Sequence, residues 1–159
     1  MILVLLGTQD KPFLRLLKMV SKEIDKGNIK EKVVAQTGYT AFSDKNMESF
    51  DFKNKEEIEK LIDKARIIIT HAGVGTITEC LEKGKKIIVV PRLKKYLEHT
   101  NDHQMQITKE FEMKGYVIAL YDNKRLSAAL EKIKTFKPKR YESNSENFKM
   151  KIKDYIDNI

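Results

Sequence analysis

Short apolar runs alternate with stretches of helical period from one end of the chain to the other. Ile2 to Leu6 is apolar at every position, the pattern of a strand buried on both faces. Asp10 is placed to cap a helix opening at Pro12, where a missing N–H costs nothing. Phe13, Leu16, Leu17, Val20 and Ile24 follow with helical spacing, and Gly27 ends that pattern. Lys32 to Gln36 reads as a second strand, Thr37 to Met47 as polar loop, and Ser49 to Phe52 as a short strand. Asn54 with Glu57 forms a capping pair that opens a helix with Ile58, Leu61, Ile62 and Ala65 inward.

Arg66 to Thr70 is β-branched and buried in pattern, and a helix then runs to Lys83 with Gly84 as its stop. Lys86 to Val90 is the next strand, closed by Pro91, after which Asn101 is expected to cap a helix reaching Met113. Tyr116 to Leu120 is a further strand. Asn123 is expected to cap a helix with Leu126, Ala129, Leu130 and Ile133 inward. Residues 141–159 read as an amphipathic C-terminal helix with Phe148, Ile152, Tyr155, Ile156 and Ile159 on one face. Strands apolar throughout, alternating with helices, predict one α/β domain over residues 1–159, a doubly wound, Rossmann-like parallel sheet covered on both faces.

Composition narrows the function classes. The chain has 159 residues, 41% hydrophobic and 34% charged, which suits one globular domain and excludes a disordered one. No apolar run approaches the roughly 20 residues of a membrane helix. The single Cys80 leaves no internal disulfide, which points to a cytoplasmic setting. A formal net charge of +8 favours anionic partners. Trp is absent and no RNA-binding signature interleaves aromatic with basic residues, so nucleic acid is disfavoured.

In such sheets ligands bind beyond the carboxyl ends of the strands. The segments to inspect are therefore Gly7-Thr8-Gln9-Asp10, Gln36 to Thr40, His71 to Thr76, and Pro91-Arg92 with the loop beyond. The third runs from a strand through His71-Ala72-Gly73-Val74-Gly75-Thr76 into a helix, and exposed N–H groups there favour a phosphate. It is neither a dinucleotide fingerprint, lacking the third glycine, nor a Walker loop, since Gly84-Lys85 is followed by Lys86. Tight strand–helix packing would explain the same glycines. Glu79, four residues after Gly75, is a candidate ribose ligand or a solvated helix glutamate. The stretch from Arg92 to Gln104 is dense in hydrogen-bonding side chains suited to sugar hydroxyls. His99 and His103 have i,i+4 spacing, but Asn101 as a cap leaves His99 in the loop, which argues against zinc.

Taken in order, His71-Ala72-Gly73-x-Gly75-Thr76-x-x-Glu79, Gly84-Lys85, Val89-Val90-Pro91-Arg92 and Glu98-His99-x-Asn101-Asp102-His103-Gln104 resemble the C-terminal, donor-binding half of lipid-linked GT-B glycosyltransferases. The resemblance is closest to stand-alone PssE/EpsF-like subunits of exopolysaccharide and capsule synthesis. It extends to the catalytic subunit of the eukaryotic dolichol-linked N-acetylglucosaminyltransferase. It implies a UDP-sugar-dependent hexosyltransferase, galactose preferred, acting on a lipid-diphosphate-linked saccharide with inversion and without a cofactor or metal. It implies donor contacts at Gly7, Thr8, Gln9, His71, Gly73, Val74, Gly75, Thr76, Glu79 and Arg92. Sugar contacts would come from Asn101, Asp102, His103 and Gln104, and His99 and Asp10 are candidate bases.

A full GT-B enzyme also has an acceptor-binding domain. The expected partner is therefore a membrane-anchored, PssD/EpsE-like subunit that recruits the chain to the inner face of the membrane, the C-terminal helix being a candidate docking element. Without it the isolated chain is expected to be inactive and open to homodimerisation. A non-catalytic UDP-binding subunit that stabilises or regulates a partner transferase is the alternative.

Overall fold

The computed structural model describes residues 1–142 and 146–157. Its six strands are β1 (Ile2–Leu5), β2 (Val33–Gln36), β3 (Glu48–Phe50), β4 (Ile67–Thr70), β5 (Lys86–Val89) and β6 (Ile118–Ala119). They form one sheet in the order β3-β2-β1-β4-β5-β6, every pair parallel. The helices are α1 (Leu14–Asp25), α2 (Lys55–Lys64), α3 (Val74–Glu82), α4 (His103–Met113), α5 (Leu126–Thr135) and α6 (Glu146–Asp157).

The period of two in a strand sends successive side chains to opposite faces. Ile2, Val4, Ile67, Ile69 and Ile88 join α1 and α5 through Phe13, Leu16, Leu17, Leu126 and Ile133. Leu3, Leu5, Ile68, Ile87 and Val89 face α2, α3, α4 and α6 through Ile62, Ile77, Phe111, Phe148 and Ile152. The central strands are thus apolar at nearly every position because each face has its own core. Cys80 sits in the second core, where burial raises its thiol to about 12, so it packs as a small apolar group.

Most predicted elements are present with shorter ends. Leu6 is buried but leaves the ladder where Gly7 turns with φ 80°. Tyr116 and Val117 are also buried, yet only Ile118 and Ala119 pair with β5. The Asn54–Glu57 capping box is complete, with Asn54 Oδ1 accepting from Glu57 N at 2.9 Å and Glu57 Oε2 from Asn54 N at 3.0 Å.

Three other expected caps are corrected. Helix α1 opens at Leu14, not Pro12, and Asp10 lies exposed outside it. Thr40 Oγ1 accepts the Phe13 N–H instead, at 3.0 Å. Helix α5 opens after Arg125 without a side-chain cap, so Asn123 has no capping role. Helix α4 begins at His103, one residue later than an Asn101 cap would start it. Asn101 Oδ1 accepts the His103 N–H at 3.0 Å as a short local turn.

The C-terminal helix packs on its own domain. Phe148 and Ile152 are buried, Tyr155 is half-buried against Glu110, and Ile156 is 46% exposed. Ile159 lies outside the described residues. No helix among the described residues is long and apolar enough to cross a membrane.

Strand order fixes where a ligand can enter. From β1 the chain winds to β2 and β3, then α2 carries it back to β4 on the other side of β1. In open sheets of this kind the ligand crevice lies at such a switch point, here beyond the carboxyl ends of β1 and β4.

Candidate functional site

The crevice floor is the His71 ring, which ends β4 and is only 6% exposed. A Cβ on Gly7 would lie 2.5 Å from His71 Nε2, and one on Gly73 2.2 Å from His71 Cε1. Glycine is required at both positions because the ring fills the space between the two loops. Gly7 N–H donates to Gln36 Oε1 at 3.1 Å, so the ends of β1 and β2 are tied together as well.

Gln104, on the first turn of α4, joins the β4 and β5 ends. Its Oε1 accepts from Ala72 N at 3.1 Å and from Arg92 N at 3.0 Å, leaving its NH2 3.5 Å from His71 Nδ1. Arg92 lies beneath the crevice, 1% exposed, over the Phe13 ring. It donates to the carbonyls of Leu6, Lys11 and Glu98 at 2.7, 2.8 and 3.1 Å. Burial lowers the Arg92 pKa to about 10, which still leaves a cation at neutral pH. Burial also drives the His71 pKa down to about 3, helped by the Arg92 and His99 charges, so the ring is neutral.

One wall carries His99, whose Nδ1 accepts the Asn101 N–H at 3.3 Å while Nε2 meets the Gln9 side-chain amide at 3.0 Å. With Nδ1 accepting, the neutral ring carries its proton on Nε2, which the Gln9 carboxamide satisfies when it is turned to present its oxygen in place of its nitrogen. Burial, then Arg92, lowers the His99 pKa. Neither nitrogen is thus free to take a proton without breaking a contact. Thr8, Gln9 and Asp10 are exposed on the turn after β1. Asp102 Oδ1 accepts the Lys94 N–H at 2.9 Å, and His103 Nδ1 meets Gln106 Oε1 at 2.9 Å. Among the described residues no group of three or more His, Cys, Asp or Glu is placed to hold a metal ion.

The opposite wall is the start of α3. Gly73 precedes its first turn without a side-chain cap, so the leading N–H groups of the helix, just beyond the carboxyl end of β4, have no capping side chain among the described residues. Gly75 is exposed, and a Cβ there would meet nothing within 4 Å. Thr76 and Val74 are half-buried beside it. Glu79, a turn further along α3, has Oε1 buried and unpartnered among the described residues. Open space, helix-terminal N–H groups and a nearby buried cation favour an anionic group such as a phosphate.

The strand-end segments inspected in the sequence therefore meet, stitched by Gln36, Gln104, Arg92 and Gln9. A model of the glycosyltransferase family 28 C-terminal domain matches residues 1–159. The chain belongs to this family. Among relatives, a UDP-N-acetylglucosamine transferase subunit, ALG13, of Candida albicans is 32% identical over 81 residues, covering 51% of this chain and 26% of that protein. Human ALG13 is 35% identical over 66 residues, 42% of this chain and 6% of that protein. A UDP-N-acetylglucosamine–N-acetylmuramyl-(pentapeptide) pyrophosphoryl-undecaprenol N-acetylglucosamine transferase of Geobacillus kaustophilus is 30% identical over 125 residues, 76% of this chain and 31% of that enzyme. The matches thus span a third or less of these relatives' lengths. Solved structures share the fold. The solution structure of ALG13 superposes with TM-score 0.56 at 18% identity, covering 93% of this chain and 92% of that one. MurG of Acinetobacter baumannii gives 0.56 at 19%, covering 83% and 40%.

Two contacts of this family 28 domain near the site escaped the sequence reading. Arg15, on α1, donates to both oxygens of Glu98 at 2.8 and 3.0 Å, and Glu98 in turn accepts the Leu93 N–H. This pair fixes the loop that carries His99. Only the helical position of Arg15 was visible in the sequence, since its partner lies 83 residues away. Tyr39 and Phe52 form an exposed edge-to-face pair, centroids 5.1 Å apart, at the ends of β2 and β3. No sequence signal links those two.

Proposed function

We propose that the chain is the donor-binding, catalytic part of an inverting glycosyltransferase that moves a hexose from a UDP-sugar to a lipid-diphosphate-linked saccharide. The observation that carries this reading is the crevice at the β1/β4 switch point, with the α3 N-terminus and the open Gly75 on one wall and His71 on its floor. Its family membership supplies the reaction class. The names of the relatives favour UDP-N-acetylglucosamine as donor over the galactose expected from the sequence. An exopolysaccharide or capsule setting has no support among them.

In this reading the diphosphate lies against the leading N–H groups of α3, and Glu79 receives the ribose hydroxyls. The acceptor hydroxyl attacks the anomeric carbon from the face opposite the diphosphate, so the configuration inverts as UDP departs. Charge growing on the leaving diphosphate is met by fixed N–H dipoles, with no metal needed. Asp10, exposed on the turn after β1, is the better-placed base within the chain, because both His99 nitrogens are engaged. The "subunit" in the ALG13 name supports a partner chain; in this reading it is acceptor-binding and membrane-anchored and would bring the chain to the membrane.

Calorimetric titration with UDP, UDP-N-acetylglucosamine, UDP-galactose and UDP-glucose, without added metal, tests the reading. UDP binding that Glu79→Ala weakens about tenfold, the scale of a lost hydrogen bond to a charged group, supports it. Equal affinity in wild type and variant refutes the ribose assignment. Binding without transfer, even with the partner supplied, would favour a non-catalytic UDP-binding subunit.

A further inference from the structure

The motif reading placed Gln104 among the sugar contacts, but its surroundings give it another task. The side chain is 5% exposed, and its oxygen is held by two backbone N–H groups from different strand ends, Ala72 and Arg92. Those two bonds fix which end of the carboxamide faces where. The NH2 end must then point at His71 Nδ1, 3.5 Å away. A donor facing Nδ1 requires a lone pair there, so the neutral ring carries its hydrogen on Nε2. That Nε2 is buried and has no partner among the described residues. It lies against the Gly7 backbone, at the position where a side chain on Gly7 would collide with it. The Gly7 turn leads into the exposed Thr8-Gln9-Asp10 segment at the mouth of the crevice.

A buried, unsatisfied N–H is costly to leave unmade, and a ligand oxygen entering as the Gly7 turn shifts would satisfy it. We propose that Gln104 is a positioning residue that holds His71 in the Nε2–H tautomer, so that the neutral ring donates to a diphosphate oxygen of the bound nucleotide. The proposal rests on the donor-site reading above for its ligand, but not for the tautomer. Burial and the neighbouring Arg92 keep the ring from protonating, so it acts as a fixed dipole and not as an acid. Gln104 touches no reacting atom in this account, and its effect passes through the ring.

Gln104→Glu separates this role from a structural one. A carboxylate still accepts from Ala72 N and Arg92 N, but it now presents an acceptor to His71 Nδ1. The proton should move to Nδ1, turning Nε2 from donor to acceptor. Nitrogen-15 NMR of the labelled imidazole at mildly alkaline pH reads the tautomer, and calorimetry with UDP reads the consequence. We expect Nε2–H in wild type, Nδ1–H in Gln104→Glu, and UDP binding weakened about ten- to hundredfold in the variant, the size of one hydrogen bond to a charged group. A wild-type ring protonated on Nδ1 overturns the proposal, whether or not the variant folds. So does a variant whose tautomer is unchanged, or one whose tautomer switches while UDP affinity holds. If the wild-type chain binds no UDP, the donor-site reading fails, and the imidazole spectra still decide whether Gln104 sets the ring.

Discussion

Replacing Gly7 by alanine combines two separate costs at one position. The backbone there has φ 80°, a region that costs a residue bearing Cβ about 1–2 kcal/mol. The new methyl would also sit 2.5 Å from His71 Nε2 and 2.6 Å from Cε1, and such overpacking costs about 1–3 kcal/mol. Together Gly7→Ala should lose about 2–5 kcal/mol of unfolding free energy. Gly73 has an ordinary φ of −77° but an even closer approach, 2.2 Å to His71 Cε1. Gly73→Ala should therefore show the packing cost alone, about 1–3 kcal/mol.

Gly75 meets nothing within 4 Å and lies in the first turn of α3. Alanine there should be neutral or stabilising by up to about 1 kcal/mol, while crowding whatever ligand uses that space. Urea denaturation followed by circular dichroism reads all three. A His71→Ala background closes the cycle: the Gly73→Ala cost should fall to near zero, whereas Gly7→Ala should keep its φ component. Costs that simply add in the double variants would refute the claim that the ring is what these glycines accommodate. So would a Gly75→Ala cost matching that of Gly73→Ala.

Three further outcomes follow from the same geometry. His71 has its native pKa lowered to about 3, below the ordinary 6.5, so the unfolded chain takes up a proton first and stability should fall as pH drops below 6.5. Between about pH 6.5 and 5, before carboxylates contribute, His71→Gln should remove up to about 1.4 kcal/mol per pH unit of that slope, read by urea melts across pH; an unchanged slope contradicts the assignment. Arg92→Met should cost about 3–5 kcal/mol by urea melt, because three backbone carbonyls lose their buried donor; a loss under about 1 kcal/mol would show that they find other partners. Phe148→Ala should cost about 3–5 kcal/mol in the isolated chain and Ile156→Ala less than about 0.5, since only the former is buried; equal small effects would mean that α6 does not pack on its own domain in solution.

The strands were legible because burial on both faces forces an apolar residue at nearly every position, as in Ile67-Ile68-Ile69. Helix faces were legible for the same reason, down to Leu126, Ala129, Leu130 and Ile133 of α5. Caps were less so. Asn54 and Glu57 satisfy each other locally, whereas the Phe13 N–H is met by Thr40 from another segment, and Asp102 turns to Lys94. In the site, the strand-end rule picked out the segments that meet, but not what each side chain does there. Arg92 and Gln104 look in the sequence like ligand contacts because they are polar and follow strands. Which buried carbonyls and N–H groups need them depends on the tertiary arrangement of loops. The glycines show the same limit: the Gly73–Gly75 spacing suited phosphate binding or tight packing alike, and the structure packs Gly73, like Gly7, against the His71 ring while Gly75 stays open.

The central claim is the location of the nucleotide, and titrating UDP into the nitrogen-15-labelled chain tests it most directly. The account predicts amide shift changes concentrated at Gly7 to Asp10 and at Gly73 to Thr76, with little at the opposite, amino edge of the sheet around Gly27 to Glu31. Changes centred on that opposite edge, or none at either, would contradict it.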